Sequence, residues 1–170
     1  MARSHLIIDG YNVIFQAEPY AAFARDGQWD RARDALISDV ASYVRPGFRV
    51  TVVFDGTTNP RPVREPQRML GVTVLFSAHG QTADAVIERL AQESRGRGDA
   101  VEVVTGDAIV QWTALGPGVV RRSVREFIDQ LQHGYGDWER ERDAPAKRST
   151  LETRVSPAAR DLLRRIREGD

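Results

Sequence analysis

The stretch Leu6-Ile7-Ile8-Asp9-Gly10-Tyr11-Asn12 constrains the fold more tightly than any other part of the chain. An apolar run that stops at once in a carboxylate, a glycine and an amide describes a buried strand that delivers polar groups to one edge of a sheet. The theme recurs in Val52-Val53-Phe54-Asp55-Gly56 and Val103-Val104-Thr105-Gly106-Asp107, and Thr82-Ala83-Asp84 opens a helix. In an open α/β sheet the carboxyl ends of parallel strands border one crevice, so acids distant in sequence meet there. The chain is therefore expected to hold Asp9, Asp55, Asp84 and Asp107 together.

What lies between these runs supports a layered fold. Strands are expected over 5–9, 49–55, 72–76 and 100–105, with a short fifth at 119–120. Ala32, Leu36, Ile37, Val40, Ala41 and Val44 fall at helical spacing between Trp29 and the Pro46-Gly47 stop. Val86, Ile87, Leu90 and Ala91 do the same behind Thr82 as N-cap, and Val124, Phe127, Ile128 and Leu131 mark a further helix. Tyr11 to Phe15 begins a helical or irregular segment, 108–113 reads as a short helix, and 16–28 and 56–68 read as loops. Parallel strands need crossover helices, and those helices bury both faces of the sheet, so the alternation predicts an α/β fold with a mostly parallel central sheet.

With 170 residues, 41% of them hydrophobic, the chain can bury one core. Residues 1–132 are expected to form the domain that carries the acids. Residues 133–170 read as a charged linker and a C-terminal helix, capped at Ser156-Pro157 and striped by Ala159, Leu162, Leu163 and Ile166, packed on the same domain. No apolar run approaches membrane-spanning length and no signal-peptide pattern opens the chain, so the expected setting is cytoplasmic, without a membrane partner.

Composition narrows the chemistry. The absence of cysteine excludes a disulfide framework, a thiolate metal site and a cysteine nucleophile. His5, His79 and His133 have no metal-ligand spacing, and no glycine-rich nucleotide loop follows any strand. Trp29, Trp112 and Trp138 read as packing anchors. The net charge is zero, which argues against indiscriminate coating of nucleic acid, yet 23 of the 24 basic residues are Arg, suited to directed phosphate contacts.

Each acid has an ordinary structural role open to it: Asp-Gly is a turn dipeptide, Asp84 suits the positive end of a helix, and Asp107 suits an N-cap. Their joint placement at one edge is what singles them out. Carboxylates crowded in one crevice repel, and a divalent cation relieves the repulsion. An oxygen-only donor set suits Mg²⁺ or Mn²⁺, and such a site serves phosphoryl chemistry. Asn12 offers a neutral oxygen or holds a water, and the Thr105 hydroxyl reaches a carboxylate or a phosphate.

Taken together, Asp9-Gly-Tyr-Asn12, Val-Val-Phe-Asp55, Thr82-Ala-Asp84, Thr105-Gly-Asp107 and Gly118-Val-Val-Arg-Arg-Ser-Val-Arg-Glu126 resemble the YacP-like NYN domain family, relatives of the PIN-domain nucleases. The resemblance runs from the first strand to the last helix. It implies a three-layer α/β/α PIN-like domain, a metal-dependent endoribonuclease, and messenger RNA handled at the ribosome. It places the acidic site on Asp9, Asp55, Asp84 and Asp107, the metal on Asp9, Asp84 and Asp107, and Asn12 beside them, with Thr82 and Thr105 in support. The family usually has serine where this chain has Gly106.

RNA must also be held. Arg61 and Arg64 follow Asp55, and Arg121, Arg122 and Arg125 cluster near the sheet edge, where phosphate-directed arginines position a strand without reading its sequence. Solvated loop positions or pairing with Glu126 are the plainer roles for them. Tyr11 either stacks on a base or packs. Two functions from different classes remain, a metal-dependent endoribonuclease and a catalytically inactive module that binds RNA or the ribosome. A small-molecule phosphatase lacks an Asp-x-Asp start here and leaves the arginines unexplained.

Overall fold

Leu6, Ile7 and Ile8 have almost no exposed surface because β1 (Ser4–Asp9), first in the chain, is an interior strand of the sheet. The computed structural model describes residues 3–56, 65–106 and 116–133. On one side β1 pairs with β2 (Phe48–Phe54), and on the other with β5 (Ala100–Val104), both in parallel. Adding β3 (Gln67–Met69), β4 (Val72–Phe76) and β6 (Val119–Arg122) gives six strands in the order β3-β4-β2-β1-β5-β6. All pairings are parallel except β3 with β4.

Side chains alternate across this sheet and supply a separate core on each face. Leu6, Ile8, Val50, Val52, Phe54 and Val104 face α1 (Gly10–Gln16), α2 (Tyr20–Arg25), α3 (Trp29–Val40) and α5 (Val124–His133), packing against Ile14, Tyr20, Leu36, Val40 and Phe127. Ile7, Val53, Val101 and Val103 face α4 (Ala83–Gly96), against Val86, Ile87 and Ala91. The result is the expected three layers, helix on sheet on helix.

The structure corrects several boundaries. The segment 16–28, read as a loop, contains α2, whose six residues are too few to show a period; Tyr20, Ala21 and Ala24 are its buried side. The helix that starts at Trp29 stops at Val40, and Ala41–Tyr43 tightens into a 3-10 turn. Within the segment read as a polar loop, β3 pairs with β4 through Leu70 and Gly71, both at positive φ (51° and 84°), as a two-residue hairpin turn requires. All three β3 residues are exposed, so no apolar alternation announced the strand. The fifth expected strand is longer, reaching Arg122 as β6. The last described helix, α5, includes His133, one residue past the expected boundary, and 134–170 lie outside the described residues, as do 57–64 and 107–115. No helix among the described residues is long and apolar enough to cross a membrane.

Candidate functional site

The carboxyl ends of β1, β2 and β5 form one edge. Asp9 is the last residue of β1 and aligns with Val53 of β2. Ile7 and Val103 lie on the α4 face, so Asp9 and Thr105, each two residues further on, continue those rows at the edge. Thr105 remains in the ladder, its N–H donating to the Arg122 carbonyl at 3.3 Å. Helix α4 begins beside this edge, because it leaves β4 and returns to β5 by a parallel crossover.

Asp9 is only 6% exposed. It caps α1, its Oδ1 accepting from the Asn12 backbone N–H at 3.1 Å, while its Oδ2 accepts from Asn12 Nδ2 at 3.1 Å. Both carboxylate oxygens are thus set by one residue three positions on. Gln16 Nε2 donates to Asn12 Oδ1 at 2.7 Å and extends the chain of bonds along α1. Gly10 starts the helix because nothing larger fits: a Cβ there would lie 2.3 Å from Phe54 Cε1.

Asp55 follows β2 and is held from both sides. The Phe54 carbonyl accepts from the Ser77 N–H at 2.9 Å, and the Gly56 N–H donates to Ser77 Oγ at 2.8 Å. A Cβ on Gly56 would stand 1.9 Å from the Ser77 carbonyl oxygen, so this glycine also answers to a close approach. Asp84 is half-buried in the first turn of α4, where the helix dipole favours an anion, and Thr82 caps that helix, its Oγ1 accepting from the Ala85 N–H at 3.3 Å.

Asp9, Asp55, Asp84, Asn12, Thr82 and Thr105 therefore belong to, or begin beside, one edge. Among the described residues, no three His, Cys, Asp or Glu side chains close into a metal-binding group. Asp107, named among the acids, lies outside those residues, with Arg61 and Arg64. The donors at this edge are carboxylate and amide oxygens, and Mg²⁺ is commonly held by one or two carboxylates with waters and substrate phosphates completing its shell. The donor chemistry at this edge, oxygen without sulfur or clustered imidazole, is of the kind that suits that ion.

The arginines divide. Arg122 is largely buried and pairs with Glu102 of β5 at 2.5 Å, which makes it part of the sheet frame. Arg121 and Arg125 are exposed at the junction of β6 and α5, on the same edge as Asp9. Glu126 is engaged by Ser123: its Oε2 accepts from the Ser123 N–H at 2.8 Å and from Ser123 Oγ–H at 2.6 Å, and Ser123 Oγ accepts from the Glu126 N–H at 3.2 Å. This reciprocal cap starts α5.

Two features escaped the sequence reading. Gln16 reaches Asn12 across one helical turn, a spacing of four that was visible but carried no chemistry by itself. Phe15 (64% exposed) and Trp29 (37% exposed) meet at 5.7 Å between ring centroids, and Trp29 also meets Tyr11 edge-on at 5.9 Å. Trp29 is an anchor for Tyr11, as expected of it, but one that still shows surface. His5 sits at the opposite end of β1, its ring nitrogens bonded to Ser94 Oγ at 2.6 Å and Thr51 Oγ1 at 2.8 Å, far along the strand from the acids.

The model of the YacP-like NYN domain matches residues 6–168. The chain belongs to the YacP-like NYN domain family. Uncharacterized protein YacP of Bacillus subtilis (strain 168) is 35% identical over 128 residues, covering 75% of this chain and 74% of that protein. The crystal structure of Rae1 (YacP) from Bacillus subtilis matches with a TM-score of 0.66 at 30% identity, over 98% of this chain and 96% of that one. A point mutant of the same protein matches with a TM-score of 0.63 at 32% identity, over 88% and 89%. The NYN scaffold is a PIN-like nuclease fold, and Asp9 and Asp55 of this chain stand at the carboxyl ends of adjacent strands of its sheet.

Proposed function

We propose that the protein is a divalent-metal-dependent endoribonuclease of the cytoplasm that hydrolyses RNA phosphodiester bonds, with messenger RNA on the ribosome as its substrate. The observation that carries this reading is Asp9: a buried carboxylate at the end of an interior strand, clamped at both oxygens by Asn12, with Asp55 and Thr105 ending the flanking strands. A buried carboxylate costs desolvation energy, and a capping role alone is met equally well by an exposed Asp, Ser or Thr.

Asp9, Asp84 and Asp107 would hold Mg²⁺ or Mn²⁺, which when bound lowers the pKa of a water and offsets charge on a scissile phosphate. The chain's own groups supply the rest. Asn12 fixes the rotation of the Asp9 carboxylate, Ser77 fixes the backbone on either side of Asp55, and Thr105 adds a hydroxyl at the end of β5. Arg121 and Arg125 face the same edge and are suited to phosphate, while the exposed faces of Phe15 and Trp29 suit stacking by unpaired bases.

The test compares wild type with Asp9→Asn on single-stranded and on ribosome-bound RNA, with and without Mg²⁺ or Mn²⁺. Replacing the acid by its amide keeps the shape and removes the charge, so cleavage is expected to be abolished while RNA binding is retained. Wild-type binding without cleavage in either setting would leave the inactive RNA- or ribosome-binding module as the function.

A further inference from the structure

We propose that Gln16 is a positioning residue of this site, holding the Asn12 amide in the orientation that Asp9 selects, and that the missing side chain at Gly106 leaves the room in which it does so. A side-chain amide has two orientations of similar shape, and only its partners choose between them. Asn12 lies between the Asp9 carboxylate, which when ionised can only accept, and the Gln16 amide. Asn12 Nδ2 donates to Asp9 Oδ2 at 3.1 Å, and Asn12 Oδ1 accepts from Gln16 Nε2 at 2.7 Å. Polarity therefore runs one way, from Gln16 through Asn12 to Asp9. A turned-over Asn12 would set oxygen against the carboxylate and give up the Gln16 Nε2 bond, so Asp9 chooses the orientation and Gln16 adds its hydrogen bond to that choice. With the amide held and the Asn12 backbone N–H on Asp9 Oδ1, the carboxylate cannot rotate, which is preorganisation of a group that meets substrate or cation.

Gly106 lies against the same pair of amides. Its φ is not positive, so the backbone does not call for glycine. What a side chain here would meet is the end of Gln16: a Cβ would stand 1.7 Å from Gln16 Nε2, 2.6 Å from Gln16 Cδ and 2.6 Å from Asn12 Oδ1, so the Gln16 amide must leave for it. The Gln16 amide occupies the volume a side chain at 106 would fill, so α1 and the end of β5 are coupled across ninety positions of sequence through one hydrogen-bond donor. Gln16 is exposed, and any substituent on Gly106 displaces it.

The experiment uses Gln16→Ala, Gln16→Glu, Gly106→Ala and the double variant Gln16→Ala/Gly106→Ala in the full chain. The activity arm rests on the nuclease reading; the arm that follows the Asn12 side-chain NH₂ resonance by NMR does not. Gln16→Ala and Gly106→Ala are each expected to lower kcat roughly ten- to hundredfold, as loss of a group that orients a site carboxylate does, with KM for RNA little changed. The double variant is expected to be no worse than either single one, because both remove the same hydrogen bond. Gln16→Glu is expected to be worse than Gln16→Ala, since an anionic acceptor facing Asn12 Oδ1 drives the amide over. The Asn12 NH₂ resonance is expected to shift and to exchange faster with water in all four. If wild type cleaves no RNA, the nuclease reading fails and the resonance alone decides the positioning role. An unmoved Asn12 resonance, additive losses in the double variant, or Gln16→Glu no worse than Gln16→Ala would each overturn it.

Discussion

His5 and Asp9 occupy opposite ends of one buried strand and show how differently a polar side chain is accommodated at each. Burial first, and the Arg49 guanidinium second, lower the His5 pKa from 6.5 to about 4. The unfolded chain thus takes up a proton at a pH where the folded chain does not. Stability from this residue is fully present above pH 6.5 and is lost as pH falls towards 4, by about 3 kcal/mol in total. Urea denaturation of wild type and His5→Gln across that window tests it: the variant is expected to show a shallower fall, whatever its stability near neutral pH. From the sequence, His5 was legible only as the start of a strand, because its partners Thr51 and Ser94 come from other elements. Asp9 and Asp55, at the other end, were legible as strand ends. Their glycines were read as turn residues, whereas Gly10 and Gly56 are set by close approach of Phe54 and Ser77, which local sequence does not encode.

At the scale of elements, α5 owes its start to a cap written plainly in the chain. Ser123 and Glu126 stand three apart, bond reciprocally, and hold the Glu126 carboxyl below its ordinary pKa, chiefly through the Ser123 hydroxyl and then its backbone N–H. The cap is present above the ordinary carboxylate range and weakens as pH falls through the lowered value. Ser123→Ala is expected to cost about 0.5–2 kcal/mol by thermal or urea denaturation, without altering the Asp9 edge. Periodicity revealed α3, α4 and α5 because each presents an apolar stripe to one of the two cores. It missed α2 and β3 for opposite reasons: α2 is shorter than two turns, and β3 has no buried residue to leave a pattern. Arg122 was read with its neighbours as a phosphate ligand, yet its pairing with Glu102 depends on the β5–β6 register, which fixes which arginine turns inward.

For the whole molecule, a cation that binds only the folded chain adds RT ln(1 + [L]/Kd), about 2.7 kcal/mol at a hundredfold excess over Kd. The melting temperature of wild type is accordingly expected to rise with Mn²⁺ or Mg²⁺, and that of Asp9→Asn to rise much less; equal rises would count against a specific site. The parallel sheet itself was the most legible feature, since apolar runs alternating with amphipathic helices admit few other arrangements. The place of β1 was less so, because strand order is decided by crossovers and not by any one run.

That place has a consequence for how the protein comes into being. Synthesis delivers β1 first, but its two neighbours arrive much later, β2 from residue 48 and β5 from residue 100. A growing chain that has left the ribosome only as far as α4 holds Asp9 and Asp55 but has nothing to lay along the far side of β1. The edge is therefore complete on the β2 side of β1 before the β5 side has been made. Only when Ala100–Val104 has emerged can β1 be flanked on both sides, so chains released short of residue 100 carry Asp9 and Asp55 with one side of their shared strand pair left open.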